Sequence, residues 1–141
     1  MPESSNNIAA HLPVMAAAQP ETLAVAIQGC SAATQIYVYK ELTASELEEE
    51  SNRLAHGLQK LGITQGTRTV LMVKPSVEFF VLTFALFKVG AIPIMVDPGM
   101  GIKNLKTCLA EAEPEAFVGI TKAHIARLIL GWGRATIHIN V

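Results

Sequence analysis

Residues 70–101, VLMVKPSVEFFVLTFALFKVGAIPIMVDPGMG, decide the fold of this chain. The apolar run Val70-Leu71-Met72-Val73 is closed by Pro75, which has no N–H to give to a neighbouring strand. Ser76 stands where an N-cap is needed, its hydroxyl placed to accept from the first free amides of a helix. The spacing predicts that helix over 77–89. Val77, Phe80, Val81, Phe84, Leu86 and Phe87 make it apolar on nearly every face, as a deeply covered helix is. Lys88 suits the negative end of the helix dipole, and Gly90 follows at the usual stop position. A second β-branched run, Ile92 to Val96, breaks at Asp97-Pro98-Gly99, a turn signal. Strand, helix and strand in about 30 residues form a βαβ unit, hence parallel strands and a right-handed crossover.

Outward from that unit the same alternation continues. Downstream, Leu105, Cys108, Leu109 and Ala112 predict a helix ended by Pro114, and Ala116 to Ile120 a strand. Thr121 is a candidate N-cap for a helix whose core side is Ile125, Leu128 and Ile129. Gly131 to Arg134 turns, and Thr136 to Val141 reads as a final strand. With Arg68 to Val73 this gives four parallel strands starting near 68, 91, 116 and 136. Upstream, Thr43-Ala44-Ser45-Glu46 has capping-box spacing. It opens a helix striped by Leu47, Leu54, Leu58 and Leu61 and stopped by Gly62, with its acidic residues early and Arg53 and Lys60 late. Leu23, Val25 and Ile27 alternate, Gly29 to Ala33 reads as a turn, and Ile36 to Tyr39 alternates again, which is a hairpin. Ile8, Leu12 and Met15 predict a helix from about Asn7 to Ala18, bent or divided at Pro13. The fold class is α/β: a mainly parallel sheet of about four strands flanked by helices, with an N-terminal β-hairpin.

A chain of 141 residues makes one domain with a real core. A net charge of −1 gives no reason to expect a nucleic-acid surface. Half of the residues are hydrophobic and only 16% are charged, against a typical ~25%. Such a domain cannot easily cover its own outside, so part of its surface is expected to meet more protein. A membrane span is not expected. Residues 79–96 contain Lys88, Gly90 and Pro93, and a charge near the middle of a span costs roughly 3 kcal/mol. The first ten residues carry Glu3 and no basic residue, unlike a secretory signal, and Cys30 and Cys108 read as free buried thiols of a cytoplasmic protein. The chain stops inside its last apolar run, so it is expected to be one incomplete domain, 1–141, of something longer.

In open parallel sheets ligands bind beyond the carboxyl ends of the strands. That rule selects Lys74-Pro75-Ser76, Asp97 to Lys103, and Thr121-Lys122. Gly99-Met100-Gly101 leads into a helix start, with Lys103 and Lys106 nearby. It is read either as a tight turn that needs glycine or as an anion site. The third glycine of a dinucleotide fingerprint is missing. His11, His56, His124 and His138 lack metal-ligand spacing, Ser76 has no glycine frame for a nucleophile, and no carboxylate pair suggests acid–base work. No catalytic and no metal-binding residue is assigned.

Several motifs together resemble the opening of the adenylate-forming acid ligases, the acyl-CoA synthetases and peptide-synthetase adenylation domains. They are Tyr39-Lys40-Glu41-Leu42, Leu54-Ala55-His56-Gly57-Leu58 with Leu61-Gly62-Ile63, and Gly66-Thr67-Arg68-Thr69-Val70. Pro75-Ser76-Val77-Glu78-Phe79 and Gly90-Ala91-Ile92-Pro93 fit the same pattern, with Thr67 where an acidic residue is usual. Val96 to Gly101 with Lys103-Asn104-Leu105, and Glu111 to Phe117, are similar to the fatty-acid CoA ligase or peptide synthase branch that includes the β-lactone synthetases. The resemblance implies the N-terminal subdomain of an acyl-CoA synthetase-like fold. It implies a full-length ligase that uses ATP, Mg and, in some members, CoA to activate a fatty or hydroxy-fatty acid as its acyl-adenylate. It places Gly99, Met100 and Gly101 at the thiol entrance of CoA-using members. The family's phosphate loop, ribose-binding aspartate and lid lysine are absent from these residues, so the segment is expected to be an inactive scaffold. Its partner is then the remainder of the ligase, with self-association through exposed apolar surface when alone. The alternative is a free-standing α/β binding or regulatory module.

Overall fold

The computed structural model describes residues 6–30, 37–97, 99 and 101–141. A 3-10 turn, Ile8–Ala10, leads into α1 (His11–Ala18), the hairpin β1 (Leu23–Cys30) and β2 (Tyr37–Thr43), and α2 (Ala44–Lys60). Then follow β3 (Arg68–Met72), α3 (Val77–Val89), β4 (Ile92–Met95), α4 (Ile102–Ala112), β5 (Ala116–Gly119), α5 (Thr121–Leu130) and β6 (Ile139–Asn140). The hairpin is antiparallel, and the four later strands form a parallel sheet in the order β4-β3-β5-β6.

The period-2 geometry of the two central strands sorts the core into layers. Leu71, Ala116 and Val118 face Ala55 and Leu58 of α2 and Ala85, Leu86 and Val89 of α3. Val70 and Phe117, one residue out of step, face Leu105 and Leu109 of α4, Ala123 of α5, and Trp132. A third cluster joins Leu12, Val25, Leu47, Val77 and Val81 beneath the hairpin. That cluster matters because two strands alone are marginal in water.

Local signals act as read. Thr43 Oγ1 accepts from the Glu46 N–H at 3.2 Å and the Glu46 carboxylate accepts from the Thr43 N–H at 2.9 Å. Ser76 Oγ accepts from the Phe79 N–H, and Gly90 ends α3 in the left-handed region at φ 74°. Lys88 does more than meet a dipole. Its ammonium donates to the Glu48 carboxylate at 2.6 Å, to the Glu48 carbonyl at 3.2 Å and to Asn52 Oδ1 at 2.7 Å. These bonds clamp α3 to α2 with the charges of Lys88 and Glu48 largely shielded.

Elsewhere the structure differs from what the sequence predicts. Ile125, Leu128 and Ile129 are exposed rather than core, and α5 lies on the sheet through Ala123, with Ala126 and Leu130 beside it. Thr121 is the first residue of α5. The cap position falls to Ile120, whose side chain caps nothing and which has left the strand. The last strand is two residues long, because the amides of Thr136 and Ile137 both donate to the Gly133 carbonyl and continue the turn. Leu61, the C-cap of α2, is 53% exposed at the end of the leucine stripe rather than in the core. Cys108 is exposed, on the outer face of α4. The segment expected to be bent or divided is divided, 3-10 over Ile8–Ala10 and α from His11, with Pro13 in the first α turn, where its missing N–H costs no helical bond. Gly29 and Cys30 still belong to β1, and the rest of the expected hairpin turn, with Ile36, lies outside the described residues. Among the described residues no helix is long and apolar enough to cross a membrane.

Candidate functional site

Because all four sheet strands run the same way, the segments leaving β3, β4 and β5 emerge at one end of the sheet. There they enclose a cavity of about 500 Å³. Lys74, Pro75 and Phe79 line it from the β3–α3 connection, Asp97 from beyond β4, and Ile120 and Lys122 from the β5–α5 connection. These are the three segments selected from the sequence. Their convergence follows from parallel pairing, which the βαβ period implies.

The walls are mostly apolar, with Met72, Val73, Met95 and Val96 completing them. Lys74 and Lys122 stand at the rim without an ion-pair or hydrogen-bond partner among the described residues. Asp97 is occupied locally, its Oδ1 accepting from the Gly99 N–H at 2.8 Å. An apolar hollow rimmed by two unpaired cations suits a ligand with an apolar body and an anionic group.

The glycines chosen from the sequence stand apart from this lining. Gly99 is exposed in the turn beyond β4, and Met100 lies outside the described residues. Gly101 precedes α4 at φ 82°, a conformation that favours glycine, and its carbonyl accepts from the Leu105 N–H at 3.0 Å. Lys103 is exposed outside the hollow, and Lys106, one turn further on, borders a different cavity. Sequence reading passed over Met72, Val73, Phe79, Met95, Val96, Ile120 and Ala123 as lining. Each sits within one or two positions of a strand end or helix start, so the signal was their position relative to the element boundaries. Among the described residues no three His, Cys, Asp or Glu side chains come together to hold a metal ion.

A second feature lies where the hairpin meets α3. Lys40 donates to the Glu78 carboxylate at 2.6 Å. This bond, the Glu78 backbone N–H and the Ser76 hydroxyl hold the Glu78 carboxyl down at about 2. A depressed carboxyl stabilises the fold above its unfolded value of 4.5 and loses that contribution as pH falls from there toward 2. Both side chains are more than 60% exposed, so the contribution is small. Glu78→Gln should unfold at slightly lower denaturant than the parent at pH 6, with the gap closing near pH 2. A gap independent of pH would show that the pair has no such role.

The sequence profile of the family described as AMP-binding enzyme matches residues 9–137. The olefin beta-lactone synthetase of Stenotrophomonas maltophilia strain K279a is 48% identical over 128 residues, which are 89% of this chain and 23% of that protein. The olefin beta-lactone synthetase of Xanthomonas campestris pv. campestris is 46% identical over 134 residues, 94% of this chain and 24% of that protein. The chain therefore spans about a quarter of the length of these curated relatives. In fold it is similar to the inhibitor-bound N-terminal domain of FACL13 from Mycobacterium tuberculosis, with a TM-score of 0.72 at 21% identity. That likeness covers 96% of this chain and 33% of the other.

Proposed function

We propose, since this chain belongs to the family of AMP-binding enzymes, that it is the N-terminal subdomain of an ATP-dependent acid ligase acting in the cytoplasm. The observation that carries this reading is the near half identity, along nearly the whole chain, to ligases about four times as long. The reaction is activation of a carboxylic acid. A carboxylate oxygen attacks the α-phosphorus of ATP, a new P–O bond forms, and the bond to the leaving pyrophosphate breaks. The acid is fatty or hydroxy-fatty, in keeping with the apolar walls of the 500 Å³ cavity and with relatives named for a β-lactone product.

The share of these 141 residues is scaffold. No group of three carboxylates or imidazoles among the described residues comes together to hold a magnesium ion, so the metal would be held by the rest of the ligase. Lys74 and Lys122 give the strand-end cavity a positive rim that attracts anionic reactants without reacting with them. If the complete ligase passes its acyl group to CoA, the segment Gly99-Met100-Gly101 would border the thiol's path. A lactone-forming ligase has no need of that path.

The test is pyrophosphate release with Mg-ATP and a panel of fatty and hydroxy-fatty acids. A polypeptide joining these residues to the complementary three quarters of an olefin beta-lactone synthetase should release pyrophosphate in an acid-dependent manner. The 141-residue chain alone should stay at background. Acid-dependent release by the chain alone would refute the scaffold reading, and a folded joined protein inert with every acid would refute the ligase reading.

A further inference from the structure

We propose that a second cavity, between α4 and the 131–136 turn, is a binding site for a phosphoryl anion. It encloses about 330 Å³. Lys106 and Glu113 border it from α4 and its end, and Gly131, Gly133, Arg134 and Thr136 from the turn.

Lys106 and Arg134 have no ion-pair or hydrogen-bond partner among the described residues. The one carboxylate at the cavity among the described residues, Glu113, lies 3.5 Å from the Arg68 guanidinium, so its charge is partly answered from outside. The cavity is left with excess positive charge.

The backbone of the turn points to the same ligand. The N–H groups of Gly131 and Trp132 donate to the Arg127 carbonyl, and those of Thr136 and Ile137 to the Gly133 carbonyl. The N–H groups of Gly133, Arg134 and Ala135, between them, have no acceptor among the described residues. Gly131 and Gly133 are left-handed at φ 69° and 57°, and a Cβ on Gly133 would collide with the Ile137 side chain. Between the two glycines Trp132 is 5% exposed, pegged into the core around Phe117. The turn is thus held in place while three successive amides stay free. Successive free amides beside left-handed glycines form an anion-binding concavity. Two cations together with several N–H donors match a group that carries two charges on three oxygens, better than they match a carboxylate.

Trp132 is the chain's single tryptophan, so its fluorescence reports on the turn directly. The chain is titrated with inorganic phosphate, with glycerol 3-phosphate, and with acetate at matched ionic strength. Both phosphates should give a saturable change, and acetate none. Tighter binding of glycerol 3-phosphate supports a phosphomonoester as occupant, and tighter binding of inorganic phosphate supports the free anion. Arg134→Ala and Lys106→Ala should each weaken binding about two- to fivefold, and the pair together about tenfold, because both cations are exposed. Lys60→Ala, on the exposed face of α2, should bind as the parent does. No saturation, an equal response to acetate, or unchanged binding by the folded double variant would overturn the proposal.

Discussion

Phe117→Ala is expected to remove about 3–5 kcal/mol of unfolding free energy, the largest loss any single truncation in this chain should give. Phe117 is fully buried at the middle of β5, which lies between β3 and β6. Its ring meets the His124 ring edge-on with centroids 5.0 Å apart, and the Arg127 guanidinium lies over it at 5.5 Å. The same ring gathers Val70, Leu105, Leu109 and Trp132, so truncation opens a cavity that four elements line and none can refill. Domains of this size hold only about 5–15 kcal/mol in total, so the variant should be partly unfolded at room temperature. Chemical denaturation followed by circular dichroism checks this. Phe117→Leu, which keeps most of the volume, should lose well under half as much. A loss below about 1.5 kcal/mol for Phe117→Ala would mean that the layer between the sheet and α4 is not the packed core described.

The second large effect concerns the outer face of α5. Ile125, Leu128 and Ile129 are 52%, 69% and 77% exposed and share one face at i, i+3 and i+4 spacing. An apolar stripe of that kind on a domain of low charge is expected to dock on more protein. The chain alone should therefore bind a hydrophobic dye and elute above its monomer mass. Replacing all three by Ile125→Lys, Leu128→Glu and Ile129→Lys should abolish the dye signal and yield a monomer. The expected change in unfolding free energy is no more than about 1.5 kcal/mol, the sum of three ordinary surface substitutions. The opposite placement forecasts a very different number: three buried aliphatic side chains would cost about 2–5 kcal/mol each and unfold the chain. A triple variant that fails to fold, or a parent chain that is monomeric and dark to the dye, would remove this face from consideration as a docking surface.

The two outcomes divide along what sequence patterns can report. Element identity was legible because it depends on local chemistry. Pro75 and Ser76 set the start of α3, Gly90 its end, and Thr43 with Glu46 the start of α2. The three strand-end segments were legible too, since parallel βαβ units bring their carboxyl ends together. The apolar lining was not, because Phe79, Met95 and Ile120 lie outside the loop segments that the strand-end rule selects and line the hollow only once three separate connections meet. The cavity bordered by Lys106 and Arg134 was missed for the same reason: the two residues are 28 positions apart and share a lining only in the folded chain.

The orientation of α5 shows the boundary most clearly. Its sequence holds two stripes at helical spacing, the bulky Ile125, Leu128 and Ile129 and the smaller Ala123 and Ala126 with Leu130, and hydrophobicity alone favours the bulky one. A single residue, Ile120, joins β5 to α5, so the helix starts hard against the sheet. At that point only small groups fit: a Cβ on Gly119 would lie 2.8 Å from the Phe117 ring and 3.3 Å from the Ala123 Cβ. By itself the amino-acid sequence determined the elements, their order and the parallel sheet, because caps, breakers and periodicity act over a few residues. Only the tertiary structure decided which helix face was buried and which distant side chains share a cavity. Those outcomes depend on close approach between elements, a property of packed surfaces and not of any one segment.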